Sequence, residues 1–176
     1  EEQGASIRVT DELAAAGARC LKFVDRAGLS RIWQPHMYYQ PNYRRGVARV
    51  SFQVRLAAGA VFWHEWRDNA NPYRIGPSIR FIAGGGLQAN GQDIGTVPAD
   101  QWLQVQITCG LGAESTHSYD MTVTVPGREP IVLTAVPCSH QEFLILNWLG
   151  FVCLADADTV VYLDELSITN DHYRGE

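Results

Sequence analysis

Trp63, Glu65 and Arg67 occupy alternate positions in the run 60–67 (AVFWHEWR). In a strand, side chains two apart share a face, so a ring, a carboxylate and a guanidinium project together. Arg80 stands opposite Ile79 and Phe81 in the run 77–83 (PSIRFIA). Arg49, Ser51, Gln53 and Arg55 alternate with apolar residues in the run 46–56 (GVARVSFQVRL). These residue types suit sugar recognition. Aromatic faces stack on pyranose C–H faces, and planar Arg, Gln and Glu groups read paired hydroxyls. As three neighbouring strands about 4.8 Å apart, the runs would spread these groups over roughly 10 Å. Tyr39, with Trp33, His36, Tyr38, Tyr43 and Tyr73, adds an aromatic rim. The alternative is structural: Glu65 pairs with Arg67 or Arg80 on an ordinary sheet surface. His64 shares its face with Phe62 and Trp66 and reads as a packed histidine, and Trp102 and Trp148 read as core.

The elements that must position these residues are strands. Period-two runs dominate the chain, and sustained helical periodicity is almost absent. The one helix candidate is 10–17, with Thr10 as cap, an alanine-rich middle and Gly17 as stop, and the alternative for so short a segment is a turn. Besides the runs above, strands are expected at 20–25, 87–90, 102–109, 118–125, 131–133, 143–148, 151–154 and 159–168. Asn90-Gly91 is a hairpin signal. Many short strands with Gly, Pro and Asn between them predict an all-β chain, an antiparallel β-sandwich or barrel. The 176 residues fit a single domain, 1–176, with its core at about 17–170.

Composition narrows the partners. With 14 basic and 19 acidic residues the net charge is −5, which argues against a nucleic-acid partner. Lys22 is the only lysine, so the basic side chains are otherwise all arginine forks. No apolar run reaches the roughly 18 residues of a membrane helix, and no leader is visible at the N-terminus. Cys20, Cys109, Cys138 and Cys153 fit no zinc spacing. They read either as buried thiols or as disulfide partners in a secreted protein.

Four segments carry a resemblance. They are 17–25 (GARCLKFVD), 46–67 with the two long runs, 97–107 (VPADQWLQVQI) and 160–168 (VVYLDELSI). Together they resemble the concanavalin A-like jelly roll, in its laminin-G-like and polysaccharide-binding group. The resemblance implies a sandwich whose concave sheet face holds a glycan, with the site on Trp63, Glu65, Arg67, Arg80, Gln53, Arg49 and Tyr39. The superfamily also contains glucanases and polysaccharide lyases. The glucanase motif of spaced carboxylates on one strand is absent here. A carboxylate beside a cation stays ionised, so Glu65 is a poor general acid. The lyase signatures R-S-E-x-R, Q-I-H and Y-F-K-A-G are absent too. Arg49, Gln53, Arg67, Arg80, His36, His64, Tyr38 and Tyr39 are nonetheless of the residue types that lyases use. Such sandwiches often hold a structural calcium between terminal strands, which Asp25 and Asp164 would ligate, with Asp156 and Asp158 as an alternative loop site. The expected function is a non-catalytic carbohydrate-binding module of a secreted, periplasmic or extracellular bacterial system, binding a polysaccharide or oligosaccharide, with a fused catalytic domain as a further partner. The alternatives are a lyase acting on a uronic-acid polymer and a structural or protein-contact domain.

Overall fold

The computed structural model describes residues 2–172. Alternating burial drives its architecture. Within β4 (Gly46–Leu56), Ala48, Val50, Phe52, Val54 and Leu56 are buried and the residues between them are not. Two antiparallel sheets face each other across the core. The first has seven strands, in the order β1 (Ser6–Thr10), β2 (Cys20–Asp25), β13 (Thr159–Asn170), β4, β9 (Trp102–Leu111), β10 (Ser118–Thr124) and β11 (Ile131–Pro137). The second has six, in the order β3 (His36–Tyr39), β12 (Trp148–Cys153), β5 (Phe62–Arg67), β6 (Ile75–Ile82), β7 (Gly86–Ala89) and β8 (Gln92–Thr96). Rings lock the layers together. Phe52 of β4 meets Phe151 of β12 at 5.2 Å, and Phe23 of β2 meets Phe62 of β5 at 5.6 Å, both edge-on. Edge-on packing suits the ring quadrupoles and adds to the burial of large apolar area. No helix of the described residues is long and apolar enough to cross a membrane.

The expected sandwich is present, with three local corrections. No helix forms at 10–17. Thr10 ends β1, and the Ala15 and Ala16 N–H groups donate to Asp164 Oδ2 at 2.8 and 3.2 Å. A carboxylate on β13 thus takes amides that a helix would otherwise have used. The expected strand at 143–148 is absent: Phe143 follows a turn that its N–H closes on the His140 carbonyl at 3.0 Å, Leu146 makes an isolated bridge to Tyr43, and Trp148 begins β12. In place of a side chain at Gly76, the Phe143 ring covers the backbone; a Cβ there would lie 2.5 Å from it. The short strands β1, β3 and β8 escape the sequence pattern because their burial does not alternate cleanly. Of the two alternatives for the cysteines, the buried thiol holds: Cys20, Cys109, Cys138 and Cys153 are all free and buried.

Candidate functional site

The outer face of the six-stranded sheet gathers the aromatic residues. Register sets its rows. Gln88, Arg80, Trp63, Val152 and His36 stand side by side from β7 to β3, and Ser78, Glu65, Gly150 and Tyr38 form the next row. Arg67 and Trp148 pair in the row beyond. Gly150 is indispensable to this pattern. The Trp148 indole folds back across it, and a Cβ at Gly150 would fall 1.8 Å from the ring. The indole therefore lies flat over the sheet, stacked on Tyr38 at 5.8 Å. A cleft of about 450 Å³ runs along this face between Trp33, His36, Trp63, Arg67, Tyr73 and Trp148, with Ile32, Val152 and Leu154 as its apolar lining. A shallower trough of about 360 Å³ continues past Arg67, Tyr73 and Trp148 to Asp68 and Asn69.

Two arginines are held flat on rings here, in different ways. Arg67 lies between Tyr73 and Trp148, 4.4 and 4.2 Å from their centroids. Its Nε and Nη2 donate to Glu65 Oε2 at 2.7 and 2.6 Å. Glu65 is buried, and Ser78 Oγ donates to its other oxygen at 3.5 Å. The structural alternative is thus realised for Glu65 and Arg67, while Arg67 still walls the cleft. Arg80 lies 3.4 Å from the Trp63 ring centroid. No acceptor among the described residues takes a hydrogen bond from its guanidinium. Burial lowers its pKa, and Glu65 opposes that shift. The Trp63 indole N–H is buried and has no acceptor among the described residues.

Histidines divide by depth. His64 is fully buried; its Nδ1 donates to the Gly150 carbonyl at 3.0 Å, and its Nε2 accepts from Trp66 Nε1 at 2.9 Å. Burial pushes its pKa down to about 3, which keeps the packed imidazole neutral near neutral pH. His36 lies in the cleft wall, edge-on to Trp33 at 4.9 Å and stacked on Tyr38 at 5.9 Å. Burial lowers its pKa, and Arg67 and Arg31 lower it further.

Several expected site residues lie elsewhere. Arg49 and Gln53 belong to β4, which is in the other sheet, so they face solvent on the opposite side of the molecule. The runs 46–56 and 60–67 are consecutive but do not pair, because the chain crosses between layers after Leu56. Tyr39 alternates with Tyr38 and borders a depression with Val9, Leu21 and Leu166. It is Tyr38 that reaches Trp148. Trp148, expected in the core, is a wall of the cleft. Sequence reasoning missed it because a tryptophan two residues before a glycine carries no sign that it will fold over that glycine.

Asp25 and Asp164 are not brought together either. Asp25 is opposite Thr159, and Asp164 lies five residues further along β13, about 16 Å away. Both are occupied by backbone amides: Asp25 accepts from Arg26 and Ala155, and Asp164 from Ala15, Ala16 and Glu165. Asp156 and Asp158 accept from Gly28 and Ala27 in the same way. Among the described residues no group of three or more His, Cys, Asp or Glu is arranged to hold a metal.

Comparison with known proteins supports the fold assignment. No protein-family model matches the sequence, and no curated protein matches it. Solved structures do. The endo-β-1,4-glucuronan lyase of the fungus Trichoderma reesei superposes with a TM-score of 0.69 at 11% identity, over 96% of this chain and 88% of that one. The alginate lyase of Aplysia kurodai gives 0.66 at 10% identity, over 94% and 87%. The cellulose-induced protein Cip1 gives 0.60 at 14% identity, over 95% and 86%. The chain thus has the concanavalin A-like jelly-roll fold.

Proposed function

We propose that this chain is a carbohydrate-binding module that holds a polysaccharide along the outer face of the six-stranded sheet without cleaving it. One observation carries the reading: an open cleft of about 450 Å³ walled by Trp33, Trp63, Tyr73 and Trp148, with Arg67 fixed flat between two of the rings. Rings held by packing lose little entropy on stacking against a sugar, and a guanidinium clamped by Glu65 meets hydroxyls without reorganising. The likeness in fold to a glucuronan lyase and an alginate lyase supports a glycan ligand. The reading includes a periplasmic or extracellular setting, where such polymers occur, and service to a catalytic domain in the same chain.

A second reading has its own observation. His36 lies in the cleft wall with its pKa lowered by burial and by Arg67 and Arg31, beside Tyr38 and on the same sheet face as Arg67. A neutral imidazole near a cation is suited to removing a proton next to a sugar carboxylate. That would make the chain a lyase acting on a uronic-acid polymer.

Affinity gel electrophoresis against neutral and acidic polysaccharides, with calcium and with a chelator, tests both readings. Retardation on a glycan with no new ultraviolet absorbance from unsaturated product supports the binding module. Absorbance that grows with time and disappears in His36→Ala establishes the lyase instead. Retardation lost only in chelator would show a bound calcium. Migration unchanged by every polymer overturns the glycan reading.

A further inference from the structure

The two arginines of the cleft face differ in what remains unmet. Arg67 is charge-compensated: two of its nitrogens bond the buried Glu65, and both faces of its guanidinium plane are covered by rings. Arg80 has one ring beneath it and no hydrogen-bond acceptor among the described residues. A guanidinium offers five N–H donors in a fixed fork. Pressed 3.4 Å from the Trp63 centroid, that fork is immobilised and partly dehydrated before any ligand arrives. The same indole carries the cleft's one buried N–H without a partner among the described residues.

Charge points the same way. The protein as a whole is acidic, at −5. Yet Arg31, laid on Trp33 at 5.1 Å, Arg67 and Arg80 all lie on this face, and the buried Glu65 is already spent on Arg67. A neutral sugar offers hydroxyls, which donate as well as accept. The Arg80 guanidinium itself presents only donors, and its neighbour Gln88 already gives its amide N–H to Asp93 at 2.8 Å, so an anionic group matches the guanidinium better.

We propose that Arg80, on its Trp63 platform, is the seat for the oxyanion of an acidic glycan: the carboxylate of a uronate residue or a sulfate ester. This rests on the glycan-binding reading above and sharpens it. Arg67 shapes the cleft, while Arg80 selects the charge. The fork geometry of Arg80 matches a planar carboxylate bidentately.

The test is isothermal titration of the whole chain with polygalacturonate, carboxyl-reduced polygalacturonate, a sulfated galactan and a neutral xylan. Binding to polygalacturonate that is lost on carboxyl reduction identifies the uronate; binding to the sulfated galactan alone identifies the sulfate ester. In either case Arg80→Gln is expected to weaken binding about tenfold, the scale of a charge-assisted hydrogen-bonded pair. Arg49→Gln, which removes the same charge from the opposite sheet, is expected to stay within about twofold. Trp63→Phe keeps a ring under Arg80 and removes the N–H, and should weaken the complex about threefold. Circular dichroism of each variant reports folding. Equal binding of the charged and the carboxyl-reduced polymer, or of xylan, would overturn the anionic seat and leave the glycan-binding reading intact. So would an Arg80→Gln variant, folded like wild type, with unchanged affinity. An unchanged affinity of Trp63→Phe would remove the indole from the seat. No heat with any polymer would overturn both proposals.

Discussion

On the outer face of the seven-stranded sheet, Arg49, Ser51, Gln106, Thr108, Asp120, Thr122, Ser167 and Thr169 surround a polar depression of about 390 Å³. On the outer face of the six-stranded sheet, Trp63, Trp148, Tyr73 and Trp33 surround a cleft of similar size. Both faces arise from the same alternation along antiparallel strands. They differ in how their cations are held. Arg49 is half exposed and reaches Asp171 only at 4.0 Å. Arg67 and Arg80 lie on rings and are fixed before a ligand arrives. Exposed pairs such as Arg49 with Asp171 contribute little and are screened by salt. Guanidiniums stacked on partly buried rings keep their orientation, so preorganisation of the cations separates the two faces.

The largest expected contrast lies beneath the faces. His64→Ala opens a cavity and leaves Trp66 Nε1 and the Gly150 carbonyl unpaired. Urea denaturation should show a loss of about 3–5 kcal/mol, whereas Thr108→Ala on the polar face should stay within about 0.5 kcal/mol. Equal losses would mean that the aromatic face does not depend on the core below it.

Acid provides the next contrast. The folded pKa of His64 is about 3, below the ordinary value of 6.5, so the unfolded chain takes up the proton first. Its contribution is complete above pH 6.5 and is lost as pH falls toward 3, by up to about 1.4 kcal/mol per pH unit. The stability difference between wild type and His64→Gln should therefore narrow across that window. A pH-independent difference would show that His64 is not held neutral.

Gly150→Ala comes third. Its Cβ would displace the Trp148 ring, which also frees one face of Arg67. Glycan binding should weaken about tenfold while far-ultraviolet circular dichroism stays the same. Unchanged binding would remove Trp148 from the site. The smallest effect belongs to the polar face, where Arg49→Ala combined with Gln53→Ala should change glycan affinity less than about twofold. A complete loss of binding would transfer the site to the other sheet.

Parts of this architecture were legible in the residues. The run 46–56 has the bounds of β4, and the inward set Ala48 to Leu56 is buried as the alternation requires. Trp63, Glu65 and Arg67 share a face because period two allows nothing else, and His64 is packed with Phe62 and Trp66 on the other. The assignment of Arg49 and Gln53 to that same surface failed for a different reason. Alternation gives the side of a strand but not the sheet it joins, and a connection of a few residues serves either a hairpin or a crossing between layers. In the sequence Tyr39 reads as a loop aromatic, but it ends a strand of four residues whose alternation sets it on the other side from Tyr38. The 10–17 segment failed because its amides are taken by Asp164, a residue 148 positions away from Ala16.

The sequence by itself determined an all-β chain, its main strands and the inward and outward side chains of each, because these follow from local periodicity and the burial of apolar surface. Only the tertiary structure decided which strands are neighbours. It thereby decided that Trp148 folds over Gly150, that Glu65 compensates Arg67, and that Arg80 lies on Trp63 without an acceptor among the described residues. Those are contacts between strands, set by sheet order and register, and no periodicity within one strand encodes them.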